Sequence, residues 1–149
     1  MKRLTLLLAT LLIASTMALA QSVPATFAWD ASTDGPGPAN NPVKYRLYVS
    51  AVLPTGTIPA GAAQNDAGIA LEKAVTFTTG TYYVFATAYW NALTVDGLPV
   101  ADTILESGLS NVLKVEVRVP PGNPKNAKFK VTNVAQSTTG QSITFRRRG

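Results

Sequence analysis

Hydrophobic and polar positions along this chain alternate with a period of two. Ala25, Phe27 and Trp29 fall on one face of the run from Ala25 to Trp29. Val43, Tyr45, Leu47 and Val49 alternate with Lys44, Arg46, Tyr48 and Ser50. Val75 and Phe77 share a face between Ala74 and Thr78. The run from Thr81 to Trp90 sets Tyr82, Val84, Ala86 and Ala88 against Tyr83, Phe85, Thr87 and Tyr89. Between Asn111 and Val119, Leu113, Val115, Val117 and Val119 oppose Val112, Lys114, Glu116 and Arg118. Such alternation, rich in β-branched and aromatic residues, predicts half-buried strands. Beyond residue 20 no stretch has a convincing helical period. Ala67 to Ala74 comes nearest, but it is short and contains Gly68. The separators are turn chemistry: Asp34 to Pro42, Pro54 to Gly68, and the long stretch Asn91 to Glu106 with Asp96-Gly97 and Pro99. Several short strands punctuated in this way predict an all-β sandwich or barrel.

The first twenty residues are read differently. Lys2 and Arg3 precede an apolar run from Leu4 to Ala14, and Ala18-Leu19-Ala20 gives a small-x-small pattern before Gln21. This predicts a signal peptide over 1–20, cleaved after Ala20, and a secreted or periplasmic protein with no stable membrane anchor. Residues 21–119 carry 5 basic and 8 acidic side chains, whereas residues 120–149 carry 6 basic and none acidic. The change falls at Pro120-Pro121-Gly122, which predicts a domain over 21–119 and a basic tail over 120–149.

Composition narrows the chemistry. The 149-residue chain has no Cys and no His. Thiol nucleophiles, disulfides, Cys-bearing metal sites and the Ser-His-Asp arrangement are therefore excluded. A domain without disulfides must be held by its core.

Four segments, in order, resemble a fibronectin type III domain. Trp29-Asp-Ala-Ser32 followed by Tyr45-Arg-Leu-Tyr48 resembles its strands B and C. Tyr82-Tyr-Val-Phe-Ala-Thr-Ala88 resembles strand F, and Glu106 to Val117 resembles the run into strand G. The resemblance implies an immunoglobulin-like sandwich over 25–119. Its core would be built on Trp29, Tyr45, Leu47, Tyr82 and Val84, with Tyr82 at the tyrosine-corner position. Only Gln21 to Pro24 stand where strand A belongs, so strand A is expected to be short or missing, leaving an exposed edge. The tail resembles the start of a second module, Ala127 to Val131 with Asn133-Val134 and then Ser142 to Phe145. Three readings stand: a flexible remnant, a hairpin folded back to supply the missing strand, or a strand added to a neighbouring chain.

Candidate chemistry is sparse. Asp30, Asp34, Asn40 and Asn41 surround one loop, but they lack calcium-loop spacing and are ordinary turn residues. Asp96, Asp102 and Glu106 lie in or beside the long stretch before the last strand of the module, without a supporting catalytic motif. No metal, cofactor or enzymatic activity is expected. The candidate binding surface comprises Asp34, Asn40, Asn41, Tyr89, Trp90, Asp96 and Asp102. The candidate basic tail comprises Lys125, Lys128, Lys130, Arg146, Arg147 and Arg148. Modules that this one resembles serve as spacers and adhesive units in bacterial secreted and surface proteins, and as additions to bacteriophage structural proteins. The expected role is an exported binding module for a protein or a cell-surface glycan, not for nucleic acid. The alternative is a structural subunit that self-associates through its tail.

Overall fold

The computed structural model describes residues 21–32, 40–135 and 142–146. The signal-peptide segment, Asp34, Arg147 and Arg148 lie outside them. Among the described residues nine strands form: β1 (Val23–Trp29), β2 (Lys44–Ser50), β3 (Ala63–Gly68), β4 (Glu72–Phe77), β5 (Gly80–Leu93), β6 (Pro99–Glu106), β7 (Val112–Arg118), β8 (Lys128–Ala135) and β9 (Ile143–Arg146). All strand pairs are antiparallel. They build two sheets, one ordered β4-β1-β9 and the other β3-β2-β5-β7-β8, with β6 also paired to β5. The protein is an all-β sandwich. No helix among the described residues is long and apolar enough to cross a membrane.

The alternation read from the sequence sets the core. Phe27, Trp29, Tyr45, Leu47, Val84, Ala86, Ala88, Leu113, Val115 and Val117 are buried between the sheets, with Tyr82 packed against them. The Tyr82 hydroxyl donates to the Thr78 carbonyl at 3.3 Å and lies 2.9 Å from Thr78 Oγ1. A Cβ at Gly80 would meet the Tyr82 ring and hydroxyl at 3.1–3.3 Å, so the corner closes most easily over a residue without a side chain.

Neither part of the tail stands apart from the sandwich. β8 pairs with β7, while β9 pairs with β1 in the other sheet. The two tail strands do not form a hairpin with each other; each extends a different sheet. The register puts Phe145 opposite Phe27 and Ile143 opposite Trp29. Phe145 also meets Phe129 of β8, with ring centroids 5.3 Å apart, and these two rings bridge the sheets on that side. Asn111 fixes the position of β9. Its Nδ2 donates to the Ile143 carbonyl at 3.2 Å, and its Oδ1 accepts from the Ile143 N–H.

Two strands lie where the sequence predicts loops. β3 and β6 are paired along one side only, and most of their side chains are exposed or half-buried. A strand with no buried face has no reason to alternate, so periodicity does not reveal it.

Candidate interaction surface

β5 is 14 residues long and outruns the sandwich. Its first half pairs with β7 and its last residues pair with β6. Between these regions Ser107 and Ser110 keep the chain attached to β5. The Ser107 N–H donates to the Ala88 carbonyl, and Ser107 Oγ accepts from the Ala88 N–H. Ser110 makes the same pair of bonds to Ala86. The result is a β5–β6 hairpin closed by a turn at Thr94–Leu98. In that turn the Thr94 N–H donates to the Leu98 carbonyl at 2.7 Å, and Gly97 takes a φ of +77°.

The hairpin exposes aliphatic side chains. Leu93, Val95, Leu98, Ile104 and Leu105 are all exposed, and Val95 at the tip is 106% exposed. Asn91 pairs with Ile104 and Leu93 with Pro99, so residues 100–103 of β6 bulge out opposite one residue of β5. Asp102 sits in that bulge at a φ of +60°, a left-handed conformation that non-glycine residues seldom adopt. A bulged edge is a poor template for another strand, so the apolar tip, not the ladder edge, is the surface this hairpin offers.

A polar network holds the root of the hairpin. Glu106 Oε1 accepts from the Tyr48 hydroxyl at 2.8 Å and from Thr87 Oγ1, and Arg46 Nη1 pairs with Oε2 at 3.2 Å. The Arg46 guanidinium lies over the Tyr89 ring, 4.0 Å from its centroid, and the Tyr89 hydroxyl donates to Asp66 Oδ2 at 2.9 Å. The Gly68 N–H is the largest of the effects that hold the Asp66 carboxyl below the usual carboxylate range, with Tyr89 adding to it. Burial, then the bond to Glu106, pushes the Tyr48 phenol up to about 12. The folded protein therefore keeps this proton while the unfolded chain releases it near pH 10.0, and the stability involved is full below pH 10 and lost as pH rises towards 12. Thermal unfolding followed from pH 9 to 12 is expected to show a steeper fall for the native chain than for Tyr48→Phe. Parallel curves would show that Tyr48 does not titrate against the fold.

The sequence-derived surface residues separate into two groups. Asn40, Asp96 and Asp102 are exposed. Asn41 is 5% exposed and spent on structure: its Nδ2 donates to the Asn91 carbonyl at 2.7 Å and its Oδ1 accepts from the Asn91 N–H. That clamp ties residues 40–42 to the base of the hairpin at one shared end of the sandwich. Tyr89 is buried and Trp90 packs against the core cluster. Of the other aromatic side chains of the outer sheet face, Tyr48 and Phe85 are buried and Tyr83 is half-buried. Tyr48 stacks on Phe85 at 5.4 Å, and Leu109, Val112 and Tyr83 complete a second small cluster. At the shared end an apolar groove of about 370 Å³ is lined by Ser32, Pro42, Tyr45, Ile69 and Leu71 among others. Lys125, Lys128, Lys130 and Arg146 are exposed. Among the described residues, no group of three acidic side chains is arranged to hold a metal ion.

Fold and surface together define a small two-sheet sandwich with a protruding apolar hairpin. Compared with protein-family models, with curated proteins and with solved structures, the chain shows no match.

Proposed function

We propose that this is an exported, non-enzymatic interaction module of the fibronectin type III kind, which docks to a protein partner through its β5–β6 hairpin. The observation that carries the reading is the row of exposed aliphatic side chains on a hairpin held at its root by Glu106, Arg46 and Tyr48. Sugar-binding surfaces commonly present aromatic rings, and here Tyr48, Phe85 and Tyr89 of the outer face are buried and Tyr83 is half-buried. Exposed aliphatic side chains gain about 1.5–3 kcal/mol each when buried, which suits an apolar cleft on another protein. No basic residue occurs between Lys73 and Lys114, whereas Asp96 and Asp102 flank the tip, so the cleft would carry a basic rim.

Three features support the family resemblance. Tyr82 makes the corner bond, Trp29 and Tyr45 pack in the core at 6.0 Å, and β9 occupies the edge of β1 where the family's strand A would pair. That occupied edge also favours a self-contained module over a subunit whose last strand completes a neighbour's sheet.

The test compares the native protein with the double variant Val95→Ser/Leu98→Ser as immobilised bait for the secreted and envelope proteins of the producing cells. The native hairpin is expected to retain a discrete partner, and the variant less than a tenth of it, with unchanged circular dichroism. Equal retention by both baits would overturn the hairpin as the docking element.

A further inference from the structure

A second surface differs from the hairpin in position and in charge. On the β7–β8 ladder, Arg118 lies opposite Lys128, Glu116 opposite Lys130, and Lys114 opposite Thr132. Glu116 is engaged by Lys114 at 2.7 Å. Among the described residues, Arg118, Lys128 and Lys130 make no direct ion pair and all three are exposed, although the Glu116 carboxylate also feels the charges of Lys130 and Arg118. Like charges placed directly opposite each other on a ladder destabilise the sheet. This arrangement therefore costs the free protein stability that an apolar or neutral residue would not.

The three cations stand on a grid set by the sheet itself. Neighbouring strands are about 4.8 Å apart, and alternate residues on one strand about 6.8 Å apart. A shallow groove of about 350 Å³ runs among Glu116, Arg118, Lys128, Phe129 and Lys130. We propose that this face binds a linear acidic polysaccharide, whose repeated anionic groups neutralise Arg118, Lys128 and Lys130 together. Surrounding residues favour this class of polyanion over two others. Phe129 is packed against Phe145 and Tyr83 is half-buried against the second apolar cluster, so neither ring stands fully free for stacking on a base. Of the exposed large apolar side chains only Val134 lies on these two strands, which leaves little to insert into a lipid surface.

The purified protein is titrated with dextran sulfate and with polygalacturonate, which carry sulfate and carboxylate respectively, at increasing sodium chloride. Binding to at least one is expected, weakening as salt rises. Lys128→Gln/Lys130→Gln is expected to lose about tenfold in affinity at low salt. Lys44→Gln/Lys73→Gln, which removes the same charge elsewhere, is expected to stay within about twofold. Free Lys128→Gln is expected to melt at the same temperature as the native protein or higher, because it relieves the contact with Arg118. The proposal fails if neither polymer binds, if the two double variants lose affinity equally, or if Lys128→Gln melts lower. It fails too if an oligothymidylate or anionic phospholipid vesicles bind more tightly than both polysaccharides.

Discussion

A chain ending at Ala135 is expected to lose cooperative folding. The truncation removes β9, and with it Ile143, which is 2% exposed, and the Phe145 ring that meets Phe27 and Phe129. Deleting a buried Ile side chain alone costs about 2–5 kcal/mol. Asn111 is buried and would lose both of its bonds to the Ile143 backbone, at roughly 1–3 kcal/mol for each group left unsatisfied. The inner face of β1, with Phe27 and Trp29, would open towards solvent along one edge. The sum is comparable with the whole stability of an ordinary domain, about 5–15 kcal/mol. Urea unfolding followed by far-ultraviolet circular dichroism checks this. A truncated chain that unfolds cooperatively within about 1 kcal/mol of the full one would show that β9 is dispensable.

Asn111→Ala is expected to cost about 3 kcal/mol, the second largest effect of a small change. The amide is the only side chain among the described residues that bonds both backbone groups of Ile143, and it does so from the turn into β7, across from the sheet that β9 joins. Asn111→Asp separates the two bonds. The new carboxylate still accepts from the Ile143 N–H but faces the Ile143 carbonyl with no proton to offer. Burial beside that carbonyl raises the new carboxyl's folded pKa, so its proton-bound form is favoured in the fold. Its contribution is full below about pH 4 and is lost as pH rises through the raised value. Thermal melts from pH 3 to 7 are therefore expected to show Asn111→Asp closest to the native protein at the acid end. A deficit that does not change with pH would mean that the side chain acts by shape alone.

Much of the sandwich is legible in the sequence because its central strands bury one face. The alternation at 43–50, 81–90 and 111–119 places Leu47, Val84 and Val115 between the sheets, where Trp29 and Tyr45 are also buried and Tyr82 packs against them. The tail strands are legible as strands, and β8 pairs with the preceding strand β7, but β9 pairs with β1 across more than a hundred residues, which leaves no local trace. Asn111 illustrates the limit. It reads as a residue of the approach to β7, and its role depends on a backbone 32 residues away. The hairpin was legible in position, as the stretch 91–106, but not in form. β6 has Pro99, Asp102 and no buried face, so nothing in its pattern distinguishes it from a loop. The outer aromatic side chains mislead in the opposite direction. Tyr89 and Trp90 look available because a strand has two faces, whereas the Arg46–Glu106 network and the cluster around Phe85 cover the outer face of β5, where Tyr89 lies, and Trp90 packs against the core on the other.

The central claim is that the chain closes its own sandwich with its C-terminal strand and leaves the β5–β6 hairpin as its projecting surface. Residue-resolved hydrogen–deuterium exchange on the native protein tests it most directly. The account predicts that the amides of Thr144, which faces β1, and of Ile143, held by Asn111, are protected together with those of Phe27 and Trp29, while Val95 and Asp96 at the tip exchange at nearly the free rate. Rapid exchange at Ile143 and Thr144 beside a protected β1 would contradict it.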